Sequence, residues 1–285
     1  MKTVVTSILL LASSLAFGQR LRTPTLSPFS KISQEVGLTE VRLEYARPSA
    51  KGRDVFGDLV PYDKVWRTGA NASTKITLSE AANIGGNPID SGTYALYTIP
   101  GKDEWTIIIH YNTKMRSLAG DVYDPAKDVF RFKVKPQRTN LYVETFTLQF
   151  SDLQSNACNI QLLWANTVVN IPITVEVDRQ IEQQMAVFLK DPASIPHQTY
   201  FEAAQYYLNN DKDLNEALSF IDAAIDKSPE NFRYGLLKAK IQDENGEAKA
   251  ALMSVEMANK WAKNAKNANY IEQTELFKQA LLRKK

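Results

Sequence analysis

One cysteine and two histidines occur in 285 residues. Cys158 alone cannot close an intrachain disulfide, and two histidines cannot build a histidine-rich metal cage. Charge of one sign is missing too: 34 lysines and arginines face 32 aspartates and glutamates, for a formal net charge of +2. Such a balance lacks the one-signed field that draws nucleic acid or anionic lipid. Beyond the first residues no apolar run reaches the length of a membrane span. A His-Glu-x-x-His pair, a phosphate-cradling glycine loop, a dinucleotide fingerprint and a Gly-x-Ser-x-Gly elbow are all absent. No metal, cofactor or nucleic acid is therefore expected. What remains is a folded composition, with 44% hydrophobic and 23% charged residues. That mixture excludes a wholly disordered chain, a collagen-like chain and a polytopic membrane protein.

The first residues carry an address. Lys2 supplies a positive start, and Val4, Val5 and Ile8 to Ala12 form a short apolar stretch. Ala16-Phe17-Gly18 then sets small residues around a cleavage point before Gln19, the pattern of a signal peptide over 1–18. An N-terminal anchor helix is the competing reading, disfavoured by the shortness of the run. The residue directly after the cleavage point is Gln19 and not cysteine, so there is nothing there to acylate. The mature chain is expected to be soluble and periplasmic or secreted. Cys158 alternates with Ile160, Leu162 and Trp164, which places its sulfur on an apolar strand face as an inert thiol.

From residue 19 to 177 the period is two. Val41-Arg42-Leu43-Glu44-Tyr45 separates an apolar face from a charged one, and further runs start at Thr74, Thr93, Trp105, Val129, Tyr142, Cys158 and Val168. Gly85-Gly86-Asn87-Pro88, Asp90-Ser91-Gly92 and Pro100-Gly101-Lys102-Asp103 supply turns between them. Short strands without intervening helices predict an antiparallel sandwich or barrel. Trp105 to Ile109 is apolar on both faces and reads as a central strand, whereas Pro172 suggests an edge or a bulge. From 178 to 285 the period becomes helical, so the fold class is α+β in two segregated parts. Ala217, Ile221 and Ala224 recur 34 residues later as Ala251, Val255 and Ala258, and Pro229 follows Ala224 by five. This spacing resembles the second helix of the tetratricopeptide repeat. The aromatic and glycine positions of the first helix are mostly absent, so a plain helical hairpin stays open. A final helix is expected from Ala268 to Leu282.

One stretch has no period at all. Arg47-Pro48-Ser49-Ala50-Lys51-Gly52-Arg53 leads through Phe56-Gly57-Asp58-Leu59-Val60-Pro61-Tyr62 to Val65-Trp66-Arg67-Thr68-Gly69-Ala70-Asn71. With Gly92 to Gly101, Asp124-Pro125-Ala126-Lys127-Asp128 and Val134-Lys135-Pro136, it resembles domain-of-unknown-function family 2911 of exported bacterial proteins, over roughly Ser27 to Val177. That resemblance implies an envelope-associated β-domain, often with a helical tail, and supplies no catalytic residues.

Physical chemistry therefore has to rank the candidates. Arg53, Trp66, Arg67 and Asn71 suit a ligand, since guanidinium forks grip carboxylates or sulfates and an indole stacks on flat rings. The same residues also suit a polar network that pins the loop to the sheet, with Trp66 plugging the core. Glu144 shares strand parity with Tyr142, Phe146, Leu148 and Phe150, which predicts a buried carboxylate paired with Arg53 or Arg67. His110 is expected as a hydrogen-bonded core or rim residue, and His197 at a helix start. The leading expectation is a non-catalytic binding or scaffold protein of the envelope, whose helical tail binds another protein. The alternative is a hydrolase or carbohydrate-acting enzyme with a pocket near Arg53, Trp66, Arg67 and Glu144.

Overall fold

A computed structural model describes residues 23–116 and 123–284. The signal peptide expected at 1–18 lies outside the described residues. The described chain divides between Gln180 and Ile181 into two compact units.

The first unit contains the strands β1 (Phe29–Val36), β2 (Thr39–Ala46), β3 (Thr74–Leu78), β4 (Ala82–Ile84), β5 (Asn87–Ile89), β6 (Gly92–Ile99), β7 (Trp105–His110), β8 (Asp128–Val134), β9 (Gln137–Ser151) and β10 (Ala157–Thr174). All pair antiparallel, in one sheet of order β1-β2-β3-β6-β7-β8 and another of order β5-β4-β10-β9. Period-two alternation drives the packing: Val41, Leu43 and Tyr45 of β2 and Ile76 and Leu78 of β3 join Phe146, Leu148, Ile160 and Leu162 in one core. Both sheets contribute to that core, which makes the unit a sandwich. β7 is buried on both faces as expected, because Ile108 on its outer side, with Tyr97 of β6 paired beside it, packs with Met115 and Tyr123.

β10 behaves differently from the expectation. Its buried residues are even-numbered at Cys158, Ile160, Leu162 and Trp164, then odd-numbered at Val169, Ile171 and Ile173. The pairing with β9 shifts register between Leu163 and Ala165 and again before Thr167, and Ala165 takes the left-handed conformation at φ 49°. A one-residue slip exchanges the two faces of a strand. Two alternating runs of opposite parity thus join into one strand that faces the same core throughout. Of the edge or bulge expected from Pro172, the edge does not hold, since β10 lies between β4 and β9, whereas the register shifts of the same strand are the bulge. Pro172 sits past the end of the β9 ladder, and its carbonyl accepts from the Gly85 amide at 2.8 Å. The missing N–H therefore interrupts only the short pairing with β4. Two strands unforeseen in the sequence, β4 and β5, form a three-residue hairpin around Gly85-Gly86. β1 was unforeseen too; its exposed positions carry Phe29 and its other residues alternate weakly.

Six helices follow: α1 (Val177–Phe188), α2 (His197–Asn209), α3 (Leu214–Lys227), α4 (Phe232–Glu244), α5 (Ala248–Asn264) and α6 (Ala268–Arg283). Asp213, Asn231 and Asn267 cap α3, α4 and α6 by accepting first-turn amides. The small-residue positions read from the sequence, Ala217, Ile221 and Ala224 with Ala251, Val255 and Ala258, are all fully buried. Small side chains there let neighbouring helices approach closely.

Candidate functional site

The aperiodic stretch between β2 and β3 is held to both sheets. Leaving β2, the chain crosses to the free edge of β9, where Ala50 donates to the Glu144 carbonyl at 2.9 Å and Phe146 donates to the Pro48 carbonyl at 2.8 Å. Arg47 reinforces this, its Nε donating to the Phe146 carbonyl at 3.1 Å and its guanidinium to Thr147 Oγ1 at 2.7 Å. Covering part of a sheet edge satisfies backbone groups that otherwise invite further strands. The return leg pairs Trp66 with Thr98 through backbone bonds of 2.7 and 2.9 Å. Thr68 then sits at φ 54°, an expensive conformation for a β-branched residue. It is over-determined: its hydroxyl donates to Thr98 Oγ1, its carbonyl accepts from the Thr74 hydroxyl, and the Trp66 indole donates to the Gly69 carbonyl at 3.0 Å. Gly69 itself is required, because a Cβ there would meet the Ala46 carbonyl at 2.9 Å.

Beneath this loop, Trp66 is the hub of an aromatic cluster. It stacks on Trp164 at 5.8 Å and 22° and meets Phe146, Phe56 and Trp105 edge-on. Beside it opens a cleft of about 590 Å³, lined among others by Lys51, Arg53, Arg67, Trp66 and Trp164. Among the sequence candidates, Arg53, Trp66 and Arg67 line the cleft, whereas Asn71 and Glu144 do not. Asn71 is exposed, takes φ 62° and offers its carbonyl to Arg67. Arg53 donates to the Ala50 and Ser49 carbonyls at 2.8 and 2.9 Å, and Arg67 donates to the carbonyls of Asn71 and Arg116. Both guanidinium groups thus pin the loop with some of their N–H donors and keep the others for the cleft. Among the described residues no carboxylate lines that cleft, so its character there is cationic and aromatic.

The predicted burial of Glu144 and its pairing with Arg53 or Arg67 are overturned. Glu144 is exposed, and its Oε1 accepts from the Lys51 amide at 2.7 Å. Neither arginine makes an ion pair or hydrogen bond with it, and both donate to backbone carbonyls instead. The register shift against β10 begins between Thr147 and Val143, so parity read from Phe146 does not extend to Glu144. Trp164 escaped the sequence reading because it enters the cleft from β10, whereas Lys51 lies in the same stretch as Arg53 and was not singled out there.

The histidines are structural. His110 is fully buried; its Nδ1 accepts from the Asn112 amide at 2.9 Å, which makes Nε2 the protonated atom that donates to the Asp124 carbonyl at 3.1 Å. Nearby, the Tyr123 hydroxyl donates to Asp128, while Arg131 donates to both. Burial first, and then the Asp128 carboxylate, hold the Tyr123 phenol protonated well above its ordinary range. His197 begins α2 and bonds the Tyr234 hydroxyl through Nδ1 at 2.6 Å. Among the described residues no group of three or more His, Cys, Asp or Glu could hold a metal ion, and no helix is long and apolar enough to cross a membrane.

Burial pushes the Cys158 thiol up to about 11 from an ordinary 9.0. At mildly alkaline pH its thiolate fraction is about 100-fold lower than that of an ordinary thiol. Ellman's reagent is expected to label it slowly in the native protein and at the rate of a free thiol once guanidinium unfolds the chain. The native state keeps this proton where the unfolded state loses it. The stability so contributed is complete below the unfolded value and declines as pH rises from 9 toward 11. Equal labelling of native and unfolded protein would show that the sulfur is not enclosed.

Residues 27–173, running from just before β1 to the end of β10, match the family described as protein of unknown function (DUF2911). The chain belongs to the DUF2911 family. The DUF2911 region therefore contains the loop, the aromatic cluster and almost all of the cleft lining, while α1 to α6 lie outside it. A solution structure of a protein from Bordetella parapertussis is similar at 16% identity, over 39% of this chain and 91% of that one, with a TM-score of 0.33. No curated protein matches.

Proposed function

We propose that this DUF2911 protein is an exported envelope protein, periplasmic or secreted, that binds rather than catalyses. Its β-domain takes a small anionic ligand with an apolar body, and its helical tail docks another envelope protein. The observation that carries the ligand reading is the cleft beside Trp66, where Lys51, Arg53 and Arg67 join Trp66 and Trp164 and make no ion pair among the described residues. Backbone carbonyls already hold both guanidinium groups, so little side-chain freedom is lost when an anion arrives. Helix starts support a tetratricopeptide-like tail: α2 and α4 begin 35 residues apart, α3 and α5 begin 34 apart. A carbohydrate-cleaving reading of the usual kind needs two carboxylates flanking a bond. Nothing in the lining of this cleft favours it.

The test is a thermal-shift series on the purified protein with benzoate, succinate and sulfate against the neutral benzamide. An anion in hundredfold excess over its dissociation constant should raise the melting temperature by roughly 5–10 °C. The double variant K51E/R53Q should abolish that shift. If benzamide shifts the transition as much as benzoate, or if no anion shifts it, the cationic cleft is not a binding site.

A further inference from the structure

A second cleft, of about 560 Å³, lies on the other side of the same loop and goes beyond the anion site. Asp54 and Asp58 line it from the turn that precedes Tyr62, Lys102 lines it from the β6–β7 turn, and Arg138 from the start of β9. All four are exposed, and none makes an ion pair among the described residues. Acids and bases thus enter the same space from different elements without neutralising one another. Tyr62 and the largely enclosed Phe56 and Trp105 supply its apolar surface. Gly57 keeps the Tyr62 ring in place, since a Cβ there would lie 2.8 Å from it. The left-handed Ala165 and its neighbour Asn166 line it too; Asn166 Nδ2 donates to the Thr139 carbonyl at 3.1 Å, and its side-chain oxygen accepts from no donor among the described residues.

We infer that this cleft binds a zwitterion of the amino-acid or short-peptide class. The chemistry follows from the sign of the walls. An anion is attracted by Lys102 and Arg138 but repelled by Asp54 and Asp58, and a simple cation meets the reverse. A molecule carrying an ammonium at one end and a carboxylate at the other satisfies both walls with charge-assisted hydrogen bonds. The Asn166 amide oxygen suits a peptide N–H, and the aromatic surface suits a ring or branched side chain. Register slips that open a sheet beside a ligand are a common use of bulges.

Isothermal titration of the full chain with alanyl-tyrosine, its N-acetyl derivative and its C-terminal amide tests the inference. The free dipeptide should bind, and each capped form should bind about tenfold more weakly or worse. In the D54N/D58N variant acetylation should no longer matter, and in K102Q/R138Q amidation should no longer matter. All four side chains are exposed, so melting temperatures near that of the parent will confirm folding. K51Q, which leaves the Arg53 bonds that hold the loop in place, should bind the dipeptide unchanged, which separates this cleft from the anion site. Absence of dipeptide binding, equal affinity for capped and free forms, or binding of the neutral sugar chitotriose in its place would overturn the inference.

Discussion

Replacing Trp66 by alanine is expected to lower the stability of the strand-bearing unit by about 3–5 kcal/mol. Trp66 is 8% exposed and touches four other aromatic rings, so its removal leaves a cavity that those rings cannot close without leaving their own contacts. The indole N–H is lost as well, which orphans the Gly69 carbonyl in the strained turn after Thr68. Phenylalanine keeps much of the volume but not the donor, and should cost about 1–2 kcal/mol. Guanidinium unfolding followed by near-ultraviolet circular dichroism checks both, because the stacked pair Trp66 and Trp164 shapes that signal. An alanine variant within about 1 kcal/mol of the parent would show that Trp66 is not the centre of the core.

Gly235→Leu is expected to destabilise the helical unit by about 2 kcal/mol or more. α4 and α5 approach at this residue: a Cβ on Gly235 would lie 2.8 Å from the Trp261 ring and 3.0 Å from the Ala258 Cβ. Ala258 is fully buried and has nowhere to move, so leucine must force the helices apart. Higher helix propensity offsets up to about 1 kcal/mol of that cost, which leaves Gly235→Ala milder than leucine. Thermal unfolding read at the helical signal near 222 nm measures the loss. A leucine variant as stable as the parent would mean that the two helices are not in close contact there. Because Trp66 and Gly235 belong to different units, the double variant should show nearly additive losses.

These two positions also mark how far the sequence could be read. Trp66 stood out as an aromatic residue inside a loop too rich in glycine and proline for regular structure, and it is a core plug. Gly235 carried no signal, since a helical glycine reveals its purpose only when the facing helix is in place. Glu144 shows the commonest way such reading errs. Alternation is a local rule, and it holds until a register shift; the shift that displaces Glu144 arises from pairing with the next strand, β10.

The same reason accounts for the two clefts. The cationic one was half legible, because Arg53, Trp66 and Arg67 belong to one continuous stretch. Lys102, Arg138 and Asn166 come from separate turns and strands, and no spacing joins them. Local period and small-residue recurrence were enough to determine a strand-built first part, a helical second part and many of the residues that face inward, since each depends on neighbours a few positions away. Which charges meet, which edge is covered and where the sheet opens depend on contacts across tens of residues. Only the tertiary structure decides those.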